Sequence, residues 1–535
     1  MVQLDPQQPP PPDYYAGNLR LLFEQVIAHY DDLLSRRERA FVDAFRALSS
    51  DGQRLYARLL GRKGPWIRRD RLSYREIDDL DAAVTELETA GLISVDDAAP
   101  ADVLLGLLTQ AERRALFPEI PAARKAEWIT ACVTRYDDHR VRRRIATHTR
   151  WLALADDDLV RLCQLLFFGD DRQDTSTFVL QDLGLLRFEE YPLDRDRRLF
   201  PDRAALERYR RLRRLAGLSH RLGEDPGLDV WLSANLPGRS GLRLEERQRD
   251  RVLNTLGQHF ERRGDFDRAL DCYGRSRLHP GRERRARILK RLGDDCGARR
   301  LAERMGRSPR CSEELDFAQR FDRPRSAAAA HPVTEVTLDG PTPARIEAYA
   351  AERLAGEGAL VFHLENALPL GIAGLAFWDV IFADLPGAFT NHFQSAPLDL
   401  FWPDFADTRS AAIRSRTAEL SEPGALPAAL ERTHREKCGI ANRLVSWRHL
   451  DQTVLQAVIR NIPADALLAL ACHVIRRPYR TRTGFPDLTV LHGPGRYEFV
   501  EVKGPTDALQ PGQRVWLDTL ATLGQPARVL KFRAC

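Results

Sequence analysis

The chain has 535 residues, 43% of them hydrophobic and 29% charged, with a net charge of +5. That length accommodates three or four domains, and no apolar run approaches the roughly 20 residues needed to span a bilayer. Eight cysteines without a C-x-x-C pair argue against a zinc site or a disulfide framework and fit a reducing cytoplasm, and the N-terminus carries no charged-then-apolar signal sequence.

Residues 1–13 are rich in Pro and Gln and read as a disordered tail. From Tyr14 the pattern becomes helical. Leu19, Leu22, Phe23, Val26, Ile27 and Tyr30 recur at helical spacing, as do Phe41, Phe45 and Leu48. Gly61 to Arg69 reads as a basic Gly/Pro loop carrying Lys63, Trp66, Arg68 and Arg69. It has two readings, a phosphate contact or a solvated turn. Leu72 to Val95 resembles the end of a winged-helix unit, with Gly91-Leu-Ile-Ser-Val as a short strand. Val103 to Val133 reads as two short helices packed through Leu104, Leu107, Leu108, Leu116, Trp128 and Ile129, similar to a SAP DNA-binding module. These segments make 14–150 an N-terminal helical DNA-binding region.

A second helical region spans 151–325. Leu152 to Arg214 reads as helical with one strand around Phe178 to Phe188. Leu256-Gly257, Phe260, Gly264, Phe266 and Ala269 fit tetratricopeptide spacing, and Leu278 to Leu301 supplies a next helix pair. Between Pro201 and Arg300 there are 25 Lys/Arg against 15 Asp/Glu. Such an excess fits solvated helix faces or contact with a phosphate backbone. Ala327 to Ala330 mark a low-complexity joint, after which 333–535 reads as a catalytic unit.

That unit holds the sharpest signal. Asp487 opens one predicted strand, Gly493-Pro494-Gly495 is a turn, and Tyr497 to Lys503 is a β-rich run. Residues two apart on a strand share a face, so Glu501 and Lys503 project together and the hairpin brings Asp487 beside them. Two carboxylates and an ammonium at adjacent strand ends suit a hard divalent cation and phosphodiester hydrolysis, with one or two Mg²⁺ or Mn²⁺ ions expected. The bland alternative is a solvated edge strand. Only six lysines stand against 75 arginines, so a retained lysine points to a need for a compact ammonium. Trp516, Leu520 and Leu523 then mark one helix face before Gly524, with Gln513 near the helix start, and Ala527 to Phe532 reads as a further strand. Upstream, Glu365 sits where an apolar run meets an apolar helix. By itself it reads as an acid at a helix N-terminus.

P-D, a gap and E-x-K resemble the PD-(D/E)xK nuclease superfamily. E-V-K-G-P followed by a Gln and a Trp is similar to its VRR-NUC branch. The order H-x-E, F-W-D-V-I-F, F-Q-x-x-P-L-D-L, L-V-S-W, G-x-P-D and E-V-K-G-P, over Val361 to Phe532, resembles the Fanconi-anaemia-associated nuclease family. The resemblance implies a multidomain fold. Its N-terminal two-thirds would be mainly α (winged-helix/SAP-like and tetratricopeptide-like), with a C-terminal α/β VRR-NUC domain.

It further implies a structure-specific DNA nuclease with 5′ flap endonuclease and 5′-to-3′ exonuclease activity, serving interstrand crosslink repair. The implied metal ligands are Glu365, Asp487, Glu501 and the Val502 carbonyl. Lys503 would position water or stabilise charge, and Gln513 would orient that lysine or a phosphate. A 5′-phosphate pocket falls near Arg247 and Arg284 or Arg285. The expected partner is branched or flapped DNA, bound by a monomeric, cytoplasmic protein that is nucleoid-associated when on DNA, with no membrane partner. Two rival readings are a Holliday-junction resolvase-type enzyme and a non-catalytic branched-DNA-binding scaffold.

Overall fold

Apolar spacing builds the first helices. In the computed structural model, which describes residues 14–62, 64, 66–96, 98–121, 123–155, 157–169, 187–321, 331–338, 340, 342–356 and 358–534, Leu19, Leu22, Phe23, Val26 and Tyr30 face inward from the helix Tyr14–Tyr30. They meet Phe41, Phe45 and Tyr56 from the helices Arg36–Arg46 and Ser50–Leu60. Ser35 opens the second of these helices with a reciprocal Ser–Glu capping box to Glu38. The expected tail lies outside the described residues, as do Lys63, the Ala327–Ala330 joint and most of the strand expected at Phe178–Phe188.

The chain divides into two units. One comprises 1–187 with 193–199 and 390–393, and the other comprises 188–192, 200–389 and 394–535.

In the first unit β1 (Trp66–Arg68), β2 (Ile93–Val95) and β3 (Trp151–Leu154) form an antiparallel sheet in the order β1-β3-β2. Two expectations change here. The basic segment is partly a strand, and Trp151–Leu154 is a strand where a helix was expected. The pairing joins segments separated by the SAP-like helices, so local periodicity carried no sign of it. Those helices, Ala101–Leu107, Gln110–Leu116, Lys125–Arg135 and Asp138–Ala146, pack around Leu104, Phe117, Trp128 and Trp151. Three helices stand between Val103 and Val133 instead of two, and Asp138–Ala146 follows as a fourth.

In the second unit the tetratricopeptide-like spacing becomes two helix pairs, Arg243–Arg262 with Phe266–Arg275 and Gly281–Arg291 with Asp295–Arg307. Gly257 is required by packing, because a Cβ there would lie 2.8 Å from the Tyr273 ring. The nuclease sheet is mixed, with order β4-β8-β7-β6-β5. Its strands are β4 (Val333–Thr337), β5 (Leu360–His363), β6 (Leu488–Gly493), β7 (Arg496–Lys503) and β8 (Ala527–Arg533). Period-two alternation gives it two apolar faces. Val490, Val500, Val502 and Leu530 pack under the helix Ile346–Gly356. Phe499 faces the other way, toward Phe485 and Trp516 of the helix Pro511–Thr522. Among the described residues no single helix is long and apolar enough to cross a membrane.

Candidate active site

The hairpin places the first two acids. β6 and β7 pair Leu488 with Val500, so Asp487 and Glu501 stand side by side just beyond. The Val502 N–H donates to Asp487 Oδ2 at 2.8 Å. Glu501 is fully buried. Its Oε1 accepts from Lys503 Nζ at 2.8 Å and from Gln513 Nε2 at 2.5 Å. Its Oε2 is buried with no hydrogen-bond partner.

Glu365 arrives from another strand. β5 pairs His363 with Leu488, and the chain then turns through Glu365 at φ 44°. A non-glycine residue in that left-handed region costs about 1 kcal/mol or more. Two bonds hold the turn against the hairpin. Glu365 N–H donates to the Asp487 carbonyl at 3.2 Å, and Phe485 N–H donates to Asn366 Oδ1 at 3.1 Å. Ligand atoms of His363, Glu365 and Asp487 consequently lie within 4.8 Å of one another.

Electrostatics favour a cation here. Burial raises the Asp487 carboxyl, with Glu365 adding to the rise and Lys503 opposing it. Burial and then Asp487 push Glu501 up to about 7, again against Lys503. The orphaned buried oxygen and the mutually repelling carboxylates fit a divalent metal, which would relieve both. Glu501 is not part of the group formed by His363, Glu365 and Asp487; Lys503 and Gln513 hold its Oε1.

Gln513, expected to orient Lys503 or a phosphate, donates to the same Glu501 oxygen that Lys503 contacts. Its Oε1 also accepts from Gln510 N–H at 2.8 Å, capping its own helix. Gly484, at φ 98°, makes this approach possible, since a Cβ there would lie 2.5 Å from the Gly512 carbonyl carbon and 2.8 Å from Gln513 N.

The arginines divide. Arg68 is a correction. It is 5% exposed and saturated by Asp70 and Glu112 at 2.7 and 2.6 Å, tying β1 to the helix Gln110–Leu116. It is not placed to meet phosphate. Arg69 pairs with the exposed Asp81. Arg284 makes two bonds to Glu261 through Nε and Nη2. Arg285 has a buried Nε without a partner. Arg247 packs 4.8 Å from the Trp402 ring centroid. Burial and then Arg251 push its guanidinium down to about 10, and no carboxylate among the described residues pairs with it. His363 carried a signal, its position two residues before Glu365, but its place in the cluster depends on the turn.

Fold and site together define a PD-(D/E)xK nuclease of the VRR-NUC type, a class of metal-dependent nucleases. The VRR-NUC domain model matches residues 421–534, and the model described as FAN1, HTH domain, matches 13–94. The chain is 33% identical to the Fanconi-associated nuclease 1 homolog of Pseudomonas aeruginosa, over 98% of this chain and 96% of that protein. It is 25% identical to Fanconi-associated nuclease 1 of Homo sapiens, over 96% of this chain and 62% of that protein. A crystal structure of paFAN1 bound to 2nt 5′ flap DNA with gap matches with a TM-score of 0.84 at 32% identity, covering 98% of this chain and 99% of that one. The chain belongs to the Fanconi-associated nuclease family.

Proposed function

We propose that the chain is a structure-specific nuclease that hydrolyses DNA phosphodiesters near 5′ flaps and branched junctions, as both a 5′ flap endonuclease and a 5′-to-3′ exonuclease. The observation that carries this reading is the convergence of Asp487, Glu501 and Lys503 from one hairpin with Glu365 from the β5 turn. The flap DNA in the similar paFAN1 structures supports the substrate class.

Glu365, Asp487, Glu501 and the Val502 carbonyl would hold Mg²⁺ or Mn²⁺. Once bound, such a cation supplies an acidified water and neutralises charge at the phosphate. The chain's own groups do the positioning. Lys503 keeps a compact positive charge 2.8 Å from Glu501, beside the space for the attacking water and a phosphoryl oxygen. Gln513 fixes the Glu501 carboxylate through a helix whose first turn it also caps. Arg247, cationic and without an acidic partner among the described residues, is suited to a terminal phosphate of the flap, with Arg285 as a second donor.

In this reading 14–150 and 151–325 grip the branched duplex and 333–535 cuts it, in a monomer that serves interstrand crosslink repair. The test is incubation of the full chain with labelled 5′ flap, four-way junction and linear duplex DNA, with Mg²⁺ or Mn²⁺ and with chelator. Metal-dependent cuts near the flap base are expected. Internal cutting of linear duplex at the rate of flap cutting, as opposed to stepwise digestion from its 5′ end, or symmetric resolution of the junction in preference to the flap, would overturn the assignment.

A further inference from the structure

Resting on the metal-site reading above, we propose that His363 is a nitrogen ligand of the active-site cation and biases the site toward Mn²⁺ over Mg²⁺. His363 is the last residue of β5, paired with Leu488, the residue after Asp487. Its Nε2 lies 3.2 Å from Glu365 Oε1, and both side chains are about half exposed, at 50% and 53%. Nothing packs the imidazole into a core, so its position is not a consequence of apolar burial.

The span of the group fits one ion. Ligand atoms of His363, Glu365 and Asp487 lie within 4.8 Å of one another. Two ligands on opposite sides of a small divalent ion are about 4.2 Å apart, twice a bond of about 2.1 Å. Rotation of an exposed imidazole or carboxylate closes that difference. The left-handed turn at Glu365 is what brings its carboxylate back to the strand end it has just left. Strain retained at such a point accords with a functional demand on the side chain.

Ligand chemistry then decides the preference. Carboxylates and a backbone carbonyl alone suit Mg²⁺, which favours oxygen donors and retained waters. An imidazole nitrogen is a softer donor, which the transition-metal ion Mn²⁺ accepts into a mixed nitrogen and oxygen shell more readily than Mg²⁺ does. His363 is thus the one group in the cluster able to separate the two cations.

The experiment uses the metals alone on the full chain. Mn²⁺ and Mg²⁺ binding are measured by calorimetry, and bound Mn²⁺ is examined by electron spin-echo modulation for coupling to an imidazole nitrogen. In wild type that coupling should be present. In His363→Ala and in His363→Asn it should vanish, with Mn²⁺ binding weakened about tenfold or more and Mg²⁺ binding changed by about twofold or less. Nitrogen coupling absent from wild type or persisting in both variants, or equal losses for the two metals, would overturn the proposal. Asp487→Asn separates this from the wider reading. If it removes Mn²⁺ binding while the His363 variants keep the coupling, only the His363 assignment falls. If Asp487→Asn binds Mn²⁺ as wild type does, the metal site and the His363 assignment fall together.

Discussion

Gln513 donates its amide N–H to Glu501 Oε1 at 2.5 Å while its own Oε1 accepts from Gln510 N–H at 2.8 Å. One side chain thereby caps the helix Pro511–Thr522 and orients a buried acid of the site. Gln513→Ala removes both bonds. The cap should cost about 1 kcal/mol of stability. Cleavage should fall roughly tenfold or more, equivalent to about 1.4 kcal/mol of barrier. Flap cleavage rates beside melting curves check this, and a stability loss with an unchanged rate would reduce Gln513 to a cap.

Glu501 carries a cost that cleavage requires. Its folded-state pKa, about 7, lies above the ordinary carboxylate value of 4.5. The proton is therefore held more tightly in the folded state. That stabilisation is fully present below pH 4.5 and is lost as pH rises through 7, so metal-free protein at pH 8 bears the whole penalty. Glu501→Gln should abolish cleavage yet stabilise the metal-free protein at pH 8 by on the order of 1–3 kcal/mol, seen as a higher melting temperature. Divalent metal should raise the wild-type Tm and leave that of the variant unchanged. Calorimetry in chelator decides, and a variant less stable than wild type at pH 8 contradicts the account.

Lys503→Arg should be severely impaired although charge is conserved. Lys503 Nζ reaches Glu501 from a side chain only 12% exposed, and a planar guanidinium cannot occupy that place. DNA binding should be retained. A single-turnover rate within about threefold of wild type, under about 1 kcal/mol, would exclude a direct role.

Glu365→Gln discriminates a ligand from a turn residue. As a ligand, its loss of charge should weaken metal binding and depress cleavage, with partial recovery at high Mn²⁺. As an acid near a helix start it should cost roughly a few tenths of a kcal/mol and leave cleavage unaltered. Cleavage rate against metal concentration is the measurement, and a titration that superimposes on wild type leaves a two-carboxylate site.

The hairpin and its partners were legible in the residues alone. Strand alternation has a period of two, so Asp487, Glu501 and Lys503 were assigned to one place from their spacing and a Gly-Pro-Gly turn. Gly493 and Gly495 adopt the positive φ that such a turn needs, at 135° and 72°. The faces of Leu19 to Tyr30 and of Trp516 and Leu520 followed from the helical period in the same way. Glu365 was readable from its residues only as a helix-entry acid, and the family resemblance alone suggested a ligand.

Tertiary structure decided the rest, because it depended on contacts between segments far apart in the chain. Strand pairing of β5 with β6 and a left-handed turn put Glu365 and His363 beside Asp487. Pairing of β1 with β3 and the carboxylates of Asp70 and Glu112 withdrew Arg68 from solvent. The arginine excess of the helix pairs was partly absorbed by neighbours such as Glu261 and Glu314, while Arg247 was left against Trp402 with no acid paired to it among the described residues. Local sequence sets the period and the turn. Which charge is neutralised, and by whom, is set by the partners that folding brings within about 4 Å.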